Sequence, residues 1–305
     1  MTDKGRIRIG TAPISWGACE IPYWGDQLPY ARVLDEMAQC GYAGTELGPW
    51  GYLPTDAATL RRELSARGLA LAGAFCPVTL HEASRRDESL RSARATIALL
   101  AELGAPVLVL AEAGDPRRAA LAGRVPSDGS ASFDDDQWAR FCDGANEVAR
   151  FARERGLITA FHPHAASYVE APREIELLLA GTDPDLVGLC LDTGHVAYGG
   201  GDVAYVARAH AKRIRHVHLK DLRSEVHASA VARGIEFRSA VGEDVFAPLG
   251  AGSLDLGGVL RALVEARYDG WLIVEQDVRI GVSPRAAPKA DATRSRAFLR
   301  EIIGA

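Results

Sequence analysis

Residues 187–195 read VGLCLDTGH, an aliphatic run that ends in an aspartate and a histidine. The same design recurs in LITAFHPH (157–164), RIRHVHLKD (213–221) and WLIVEQD (271–277). A strand buried on both faces reads as a continuous apolar run, so each polar ending marks where a strand leaves the core. One such segment carries little weight. Four of them, separated by helical stretches, bring imidazoles and carboxylates to one end of a parallel barrel. In a (β/α)8 barrel that end carries the chemistry, and a mixed His/Asp/Glu shell suits a divalent metal.

Outward from these segments the chain alternates regularly. Strand-like runs at 6–14, 43–47, 69–75 and 106–111 precede strands read at 157–162, 186–191, 214–219 and 271–275. Amphipathic stretches lie among them at 28–40, 56–67, 87–103, 134–155, 172–180, 202–211, 255–267 and 286–303. In 134–155, Phe141, Ala145, Val148 and Ala152 recur at helical spacing opposite Arg140, Glu147, Arg150 and Arg153. Gly41, Gly68, Gly104 and Gly156 stand where helices should stop. The pattern predicts one (β/α)8 TIM barrel over 1–305, a single domain with extended loops after strands 4 and 7. Those loops are 112–132 and 222–250. A loop as long as the second acts as a lid or a partner surface, over its own site or a neighbouring subunit's.

Composition excludes several classes. A net charge of −5 offers no bulk attraction to nucleic acid or an anionic membrane. The opening MTDKGRIRIG lacks the apolar stretch of a signal peptide, and no window approaches a membrane span. Cys19, Cys40, Cys76, Cys142 and Cys190 form no CxxC pair and fit buried positions in a reducing cytoplasm. The expectation is a cytoplasmic protein that takes a small molecule, with assembly into a homo-oligomer left open.

Position alone selects several side chains. Asp192 and Glu275 close buried strands, where a carboxylate is costly unless paired or metal-bound. The alternative for Asp192 is to cap the helix that follows. His216 and His218 share strand parity and face the barrel interior; His218, nearer the strand end, is the one expected to reach a metal. His164 follows His162 by two residues, and Lys220 and Arg223 place cations beyond His218. Trp16 either forms an apolar wall beside the site or caps the core. Glu112 is a weaker candidate, and His81, His210 and His227 are expected on the surface or in loops.

Seven motifs carry a resemblance over nearly the whole chain: GTAPISWG (10–17), GTELG (44–48), HPHAASYVE (162–170), LCLDTGH (189–195), RIRHVHLKD (213–221), PLGAGSLDL (248–256) and WLIVEQD (271–277). With them the sequence resembles the xylose isomerase-like TIM-barrel superfamily of sugar isomerases and epimerases, and within it the inosose dehydratases. The resemblance implies a metal shell of His162, Asp192, His218 and Glu275. Mn²⁺ or Co²⁺ is the expected ion, with Zn²⁺ or Mg²⁺ as alternatives. It implies catalytic roles for Glu46, His195 and Lys220, while position offers Trp16, His164 and Arg223 as substrate contacts. Sugar epimerases of the superfamily carry a glutamate where this chain has His162. Symmetric deprotonation and reprotonation uses paired carboxylates, and one of the pair is missing here. The implied activity is therefore a carbon–oxygen lyase reaction, dehydration of a keto-inositol by α-proton removal and loss of a β-hydroxyl. The alternative is an isomerase or epimerase acting on a polyol or ketose through an enediolate at the same residues. A multi-metal nuclease would need more ligands and a basic groove, and a non-catalytic sugar binder would be inert with inososes and ketoses alike.

Overall fold

The structure is a computed structural model that describes residues 7–303. Arg6, the first residue of the expected first strand, and the five residues before it lie outside the described residues. The strands are β1 (Arg8–Thr11), β2 (Gly44–Glu46), β3 (Ala70–Val78), β4 (Val107–Glu112), β5 (Ile158–Phe161), β6 (Val187–Asp192), β7 (Ile214–Leu219), β8 (Asp221–Leu222), β9 (Phe246–Ala247) and β10 (Trp271–Val274). Eight of them close a parallel barrel in the order β1-β10-β7-β6-β5-β4-β3-β2, while β8 and β9 pair separately. The chain is a (β/α)8 TIM barrel, as its alternation predicts.

Two layers explain why the strands read as apolar runs. Inside the barrel, Trp271, Ile273, Ala12 and Ala72 pack together, as do Val107, Val109, Ala160 and Cys190. Outside, Leu108, Leu110, Leu189, Leu191 and Leu219 are buried in the shell shared with the helices. A fully buried leucine stabilises such a shell by roughly 1.5–3 kcal/mol. The indole of Trp271 fits inside because β2 begins on Gly44. A Cβ there would stand 2.6 Å from the ring and 2.6 Å from the Ala70 carbonyl.

The helices stop where the sequence places their glycines. Gly41, Gly68, Gly104 and Gly156 all have positive φ, a conformation in which a Cβ is penalised. Aspartates start several helices: Asp56 accepts from Thr59 N, and Asp134 forms a capping box with Gln137 ahead of the helix Asp135–Arg153.

Both long segments differ from expectation, because each finds a buried partner. Within 112–132, Pro116–Leu121 is a helix. Its Arg118 is fully buried and donates to Glu174 Oε2 at 2.8 Å and to the Ser167 carbonyl. The segment 222–250 is not a loop. It contains the helices Ser224–Arg233 and Phe237–Gly242, flanked by the β8–β9 pair. Phe237, Val241 and Phe246 pack there against Trp24, Ala165 and Tyr198 in a second apolar cluster. All five cysteines are buried and free. No helix among the described residues is long and apolar enough to cross a membrane.

Candidate metal centre and active-site cavity

At the C-terminal end of the barrel lies a cavity of about 680 Å³, in the size range of small-molecule sites. Glu46, His162, His164, His218, Lys220 and Glu275 line it. They come from β2, β5, β7, β10 and the residues just beyond, so strand closure alone gathers them. Phe237 roofs the cavity from the 222–250 segment, with its ring 5.6 Å from that of His164.

At the bottom of the cluster, Glu46 Oε1 accepts from His216 Nε2 at 2.7 Å and from His218 Nε2 at 3.0 Å. A carboxylate only accepts, so both imidazoles carry their hydrogen on Nε2. Burial opposes charge on His218, but Cys190, Glu275 and Glu46 hold its imidazole well above the usual histidine range; its Nδ1 is buried with no hydrogen-bond partner. It lies 3.1 Å from Glu275 Oε2 and 3.6 Å from Asp192 Oδ2. His162 Nε2 lies 3.1 Å from the same Asp192 oxygen. Asp192, His218 and Glu275 offer ligand atoms within 4.8 Å of one another, all buried. An imidazole nitrogen aimed at two carboxylate oxygens is a donor set that fits a divalent cation, which takes the place of the Nδ1 hydrogen. The carboxylate behind the ring is the outer support such ligands use.

Asp192 does two things at once. Its Oδ1 accepts from His195 N at 2.8 Å and caps the short helix Thr193–Tyr198, while Oδ2 belongs to the cluster. Lys220 Nζ sits among three carboxylates, 3.1 Å from Asp192 Oδ2, 2.8 Å from Glu275 Oε2 and 3.1 Å from Asp277 Oδ1. Asp277 was given no role by the sequence, although it shares strand parity with Glu275, two residues on, and that spacing was the available signal.

Charge follows geometry. Burial alone would raise Glu46, but the charge of His218 and the hydrogen bonds from both imidazoles hold it well below the usual carboxylate range. Burial likewise opposes ionisation of Asp192, yet Lys220 and neighbouring imidazoles hold its carboxyl low. Burial pushes Asp277 up to about 6, with Lys220 opposing. His164 is pushed down to about 3 by burial and by His162. Its Nδ1 donates to the Ala165 carbonyl at 2.6 Å, so it presents a neutral ring whose Nε2 carries no hydrogen.

Other expected residues lie elsewhere. Trp16 belongs to the short 3-10 turn Pro13–Trp16, fully buried, with its indole N–H on Glu36; it packs in the core and not against the cavity. Arg223 turns its guanidinium onto the Asp244 and Phe246 carbonyls, where it ties the β8–β9 pair together instead of facing the cavity. His195 does not line the cavity but packs against His164, with ring centres 3.9 Å apart and the planes tilted, and lies 3.1 Å from Lys220 Nζ. His81, expected at the surface, is buried against Phe133.

Glu112 also lines the cavity. Its Oε2 accepts from Gly114 N and Tyr168 N, while Oε1 has no partner and lies 3.9 Å from His81 Nδ1. Burial pushes this carboxyl up to about 7. A raised folded-state value stabilises the fold below the unfolded value, and that stability is lost as pH rises through about 7. Glu112→Gln is therefore expected to shrink the stability lost between pH 5 and pH 8 by on the order of 1 kcal/mol. Urea unfolding at the two pH values measures it, and a loss as large as in wild type refutes the assignment.

A profile of the xylose isomerase-like TIM barrel family matches residues 34–302. An inosose dehydratase of Geobacillus kaustophilus (strain HTA426) is 37% identical over 276 residues, spanning 89% of this chain and 87% of the relative. An inosose dehydratase of Geobacillus thermodenitrificans (strain NG80-2) is 33% identical over the full length of both chains. Among solved structures, the IOLI protein with a bound zinc atom superposes with a TM-score of 0.71 at 15% identity, covering 98% of each chain. That last likeness is one of fold. The chain belongs to the xylose isomerase-like TIM barrel family, and the two Geobacillus relatives named above are inosose dehydratases.

Proposed function

We propose that this protein is a metal-dependent dehydratase of a keto-inositol. The observation that carries the reading is the buried Nδ1 of His218, whose ring Glu46 holds through Nε2 and which is aimed at Asp192 and Glu275. The substrate class follows from the names of the full-length relatives.

Asp192, His218 and Glu275, with His162 beside them, would hold the ion. A divalent ion bound there supplies Lewis-acid polarisation of the substrate carbonyl, which acidifies the neighbouring C–H. The chain's own residues do the rest. Both imidazoles occupy Oε1 of Glu46, which lines the cavity, so Oε2 is the oxygen left to take the α-proton. The Lys220 ammonium stands opposite the negative charge that then develops on the substrate oxygen. The C–O bond to the β-hydroxyl breaks, and the proton held by Glu46 returns to that oxygen so that water leaves. The neutral Nε2 of His164 accepts a hydrogen bond from a substrate hydroxyl, and Phe237 covers the ring and limits entry of bulk water.

Product identity tests this. Purified protein with 2-keto-myo-inositol and Mn²⁺ or Co²⁺ is expected to show rising absorbance of an enolised dione, abolished by EDTA. Recovery of only an isomeric ketone would replace the lyase reading with the epimerase one.

The strand-five histidine has its own test. His162→Glu is expected to keep metal within about threefold of wild type, because a carboxylate reaches a similar ligand distance, while dehydration slows. If His162→Ala leaves metal content unchanged, His162 is not a ligand and His164 takes its place as the candidate.

A further inference from the structure

Lys220 occupies an unusual place for a residue read only as a substrate contact. Its Nζ lies 3.1 Å from Asp192 Oδ2 and 2.8 Å from Glu275 Oε2. Those are the same two oxygens that the Nδ1 of His218 faces. One ammonium therefore sits on the oxygens that a cation bound beside His218 would use. A third carboxylate, Asp277, lies 3.1 Å from Nζ and belongs to none of the groups of side chains able to hold an ion together. All four residues are at least nine-tenths buried, so water screens little of the repulsion between two cations there.

We infer that Lys220 is an internal counter-ion that holds the place of the metal, and that Asp277 is the berth to which its ammonium is confined once the ion is bound. In the metal-free protein, Lys220 neutralises Asp192 and Glu275, which would otherwise repel each other in the barrel. When the ion arrives, both oxygens turn to it, and the ammonium keeps its one carboxylate partner outside the ligand set. The ion thus binds against a resident positive charge, and its affinity is set partly by how well Asp277 holds that charge away. This rests on the metal-centre reading above.

The test reads binding, not turnover. Full-length protein stripped with EDTA is titrated with Mn²⁺ by calorimetry. Lys220→Met is expected to bind Mn²⁺ about tenfold more tightly or better, because a like charge at close range is gone, although its dehydratase activity falls. Its metal-free form is expected to melt below the wild type and to gain more from added Mn²⁺. Asp277→Asn is expected to act in the opposite sense, weakening Mn²⁺ binding about tenfold, because the ammonium then has no carboxylate partner outside the ligand set. The double variant should return to tight binding. Lys220→Met that binds no more tightly than wild type, or Asp277→Asn that binds as well as wild type, overturns the inference while leaving the metal centre in place. Wild type that takes up no Mn²⁺ overturns the metal centre, and the inference with it. Should Lys220→Met not fold without metal, the sign of the Asp277→Asn effect decides.

Discussion

Asp192→Ala is expected to lose nearly all bound metal and at least about 10³-fold in turnover, since Lewis-acid catalysis supplies several kcal/mol of transition-state stabilisation. The carboxylate is fully buried, and its Oδ2 meets His162 Nε2 and Lys220 Nζ, each at 3.1 Å. Removing it also strips the cap from the helix Thr193–Tyr198, because Oδ1 accepts from His195 N. That loss alone costs about 1 kcal/mol. Asp192→Asn separates the two effects. An amide oxygen still caps the helix, but the side chain no longer carries the charge that a cation and Lys220 require. The asparagine variant should therefore stay folded, hold little metal and be nearly inactive. Elemental analysis and thermal melts on both variants check this, and full metal occupancy in Asp192→Ala would refute the ligand role.

Glu46→Gln is expected to have the second largest effect. Two buried imidazoles donate to one oxygen of Glu46, and a glutamine cannot replace a charged acceptor for both. Breaking a buried charged network by removing one partner costs about 3–5 kcal/mol. His218 would lose the support that fixes its hydrogen on Nε2, and outer support of this kind is worth roughly 10–100-fold in metal affinity. Turnover should fall further than metal content, by at least about 10²-fold at saturating Mn²⁺, because the variant also lacks the carboxylate that takes the proton. Measuring rate at metal saturation distinguishes the two roles. A rate fully restored by excess Mn²⁺ would leave Glu46 as a positioning residue only.

The barrel was legible because each strand is buried on both faces and each helix on one, so the two periods separate cleanly along the chain. Aliphatic runs such as VGLCLD and LITAF became β6 and β5 within a residue or so. Helix ends were legible because glycine relieves a local steric penalty, and that penalty is the same in any fold. The segment 222–250 was not legible as structure, since its helices are short and stable only through packing. Phe237 and Phe246 bury against Trp24 and Tyr198, residues distant in sequence. Arg223 was misplaced, and Trp16 was left between site and core, for a related reason. Sequence position puts both near the site, but Glu36 and the Asp244 and Phe246 carbonyls are the partners their donors find.

The sequence by itself determined which strands end in ligand-type side chains, hence that Asp192, His218 and Glu275 share one end of a barrel. Only the tertiary structure decided which atoms face one another. Strand parity turned both His216 and His218 inward, but only closure of the barrel brought β2 opposite β7, so that Glu46 meets both rings and sets where their hydrogens lie. Likewise, the motif HLKD gave Lys220 a place after the strand, and only packing set its ammonium on three carboxylates. Local patterns fix what a backbone can do with its near neighbours. Hydrogen-bond direction and charge pairing depend on atoms within a few ångströms, and here those atoms are up to 172 residues apart in the chain.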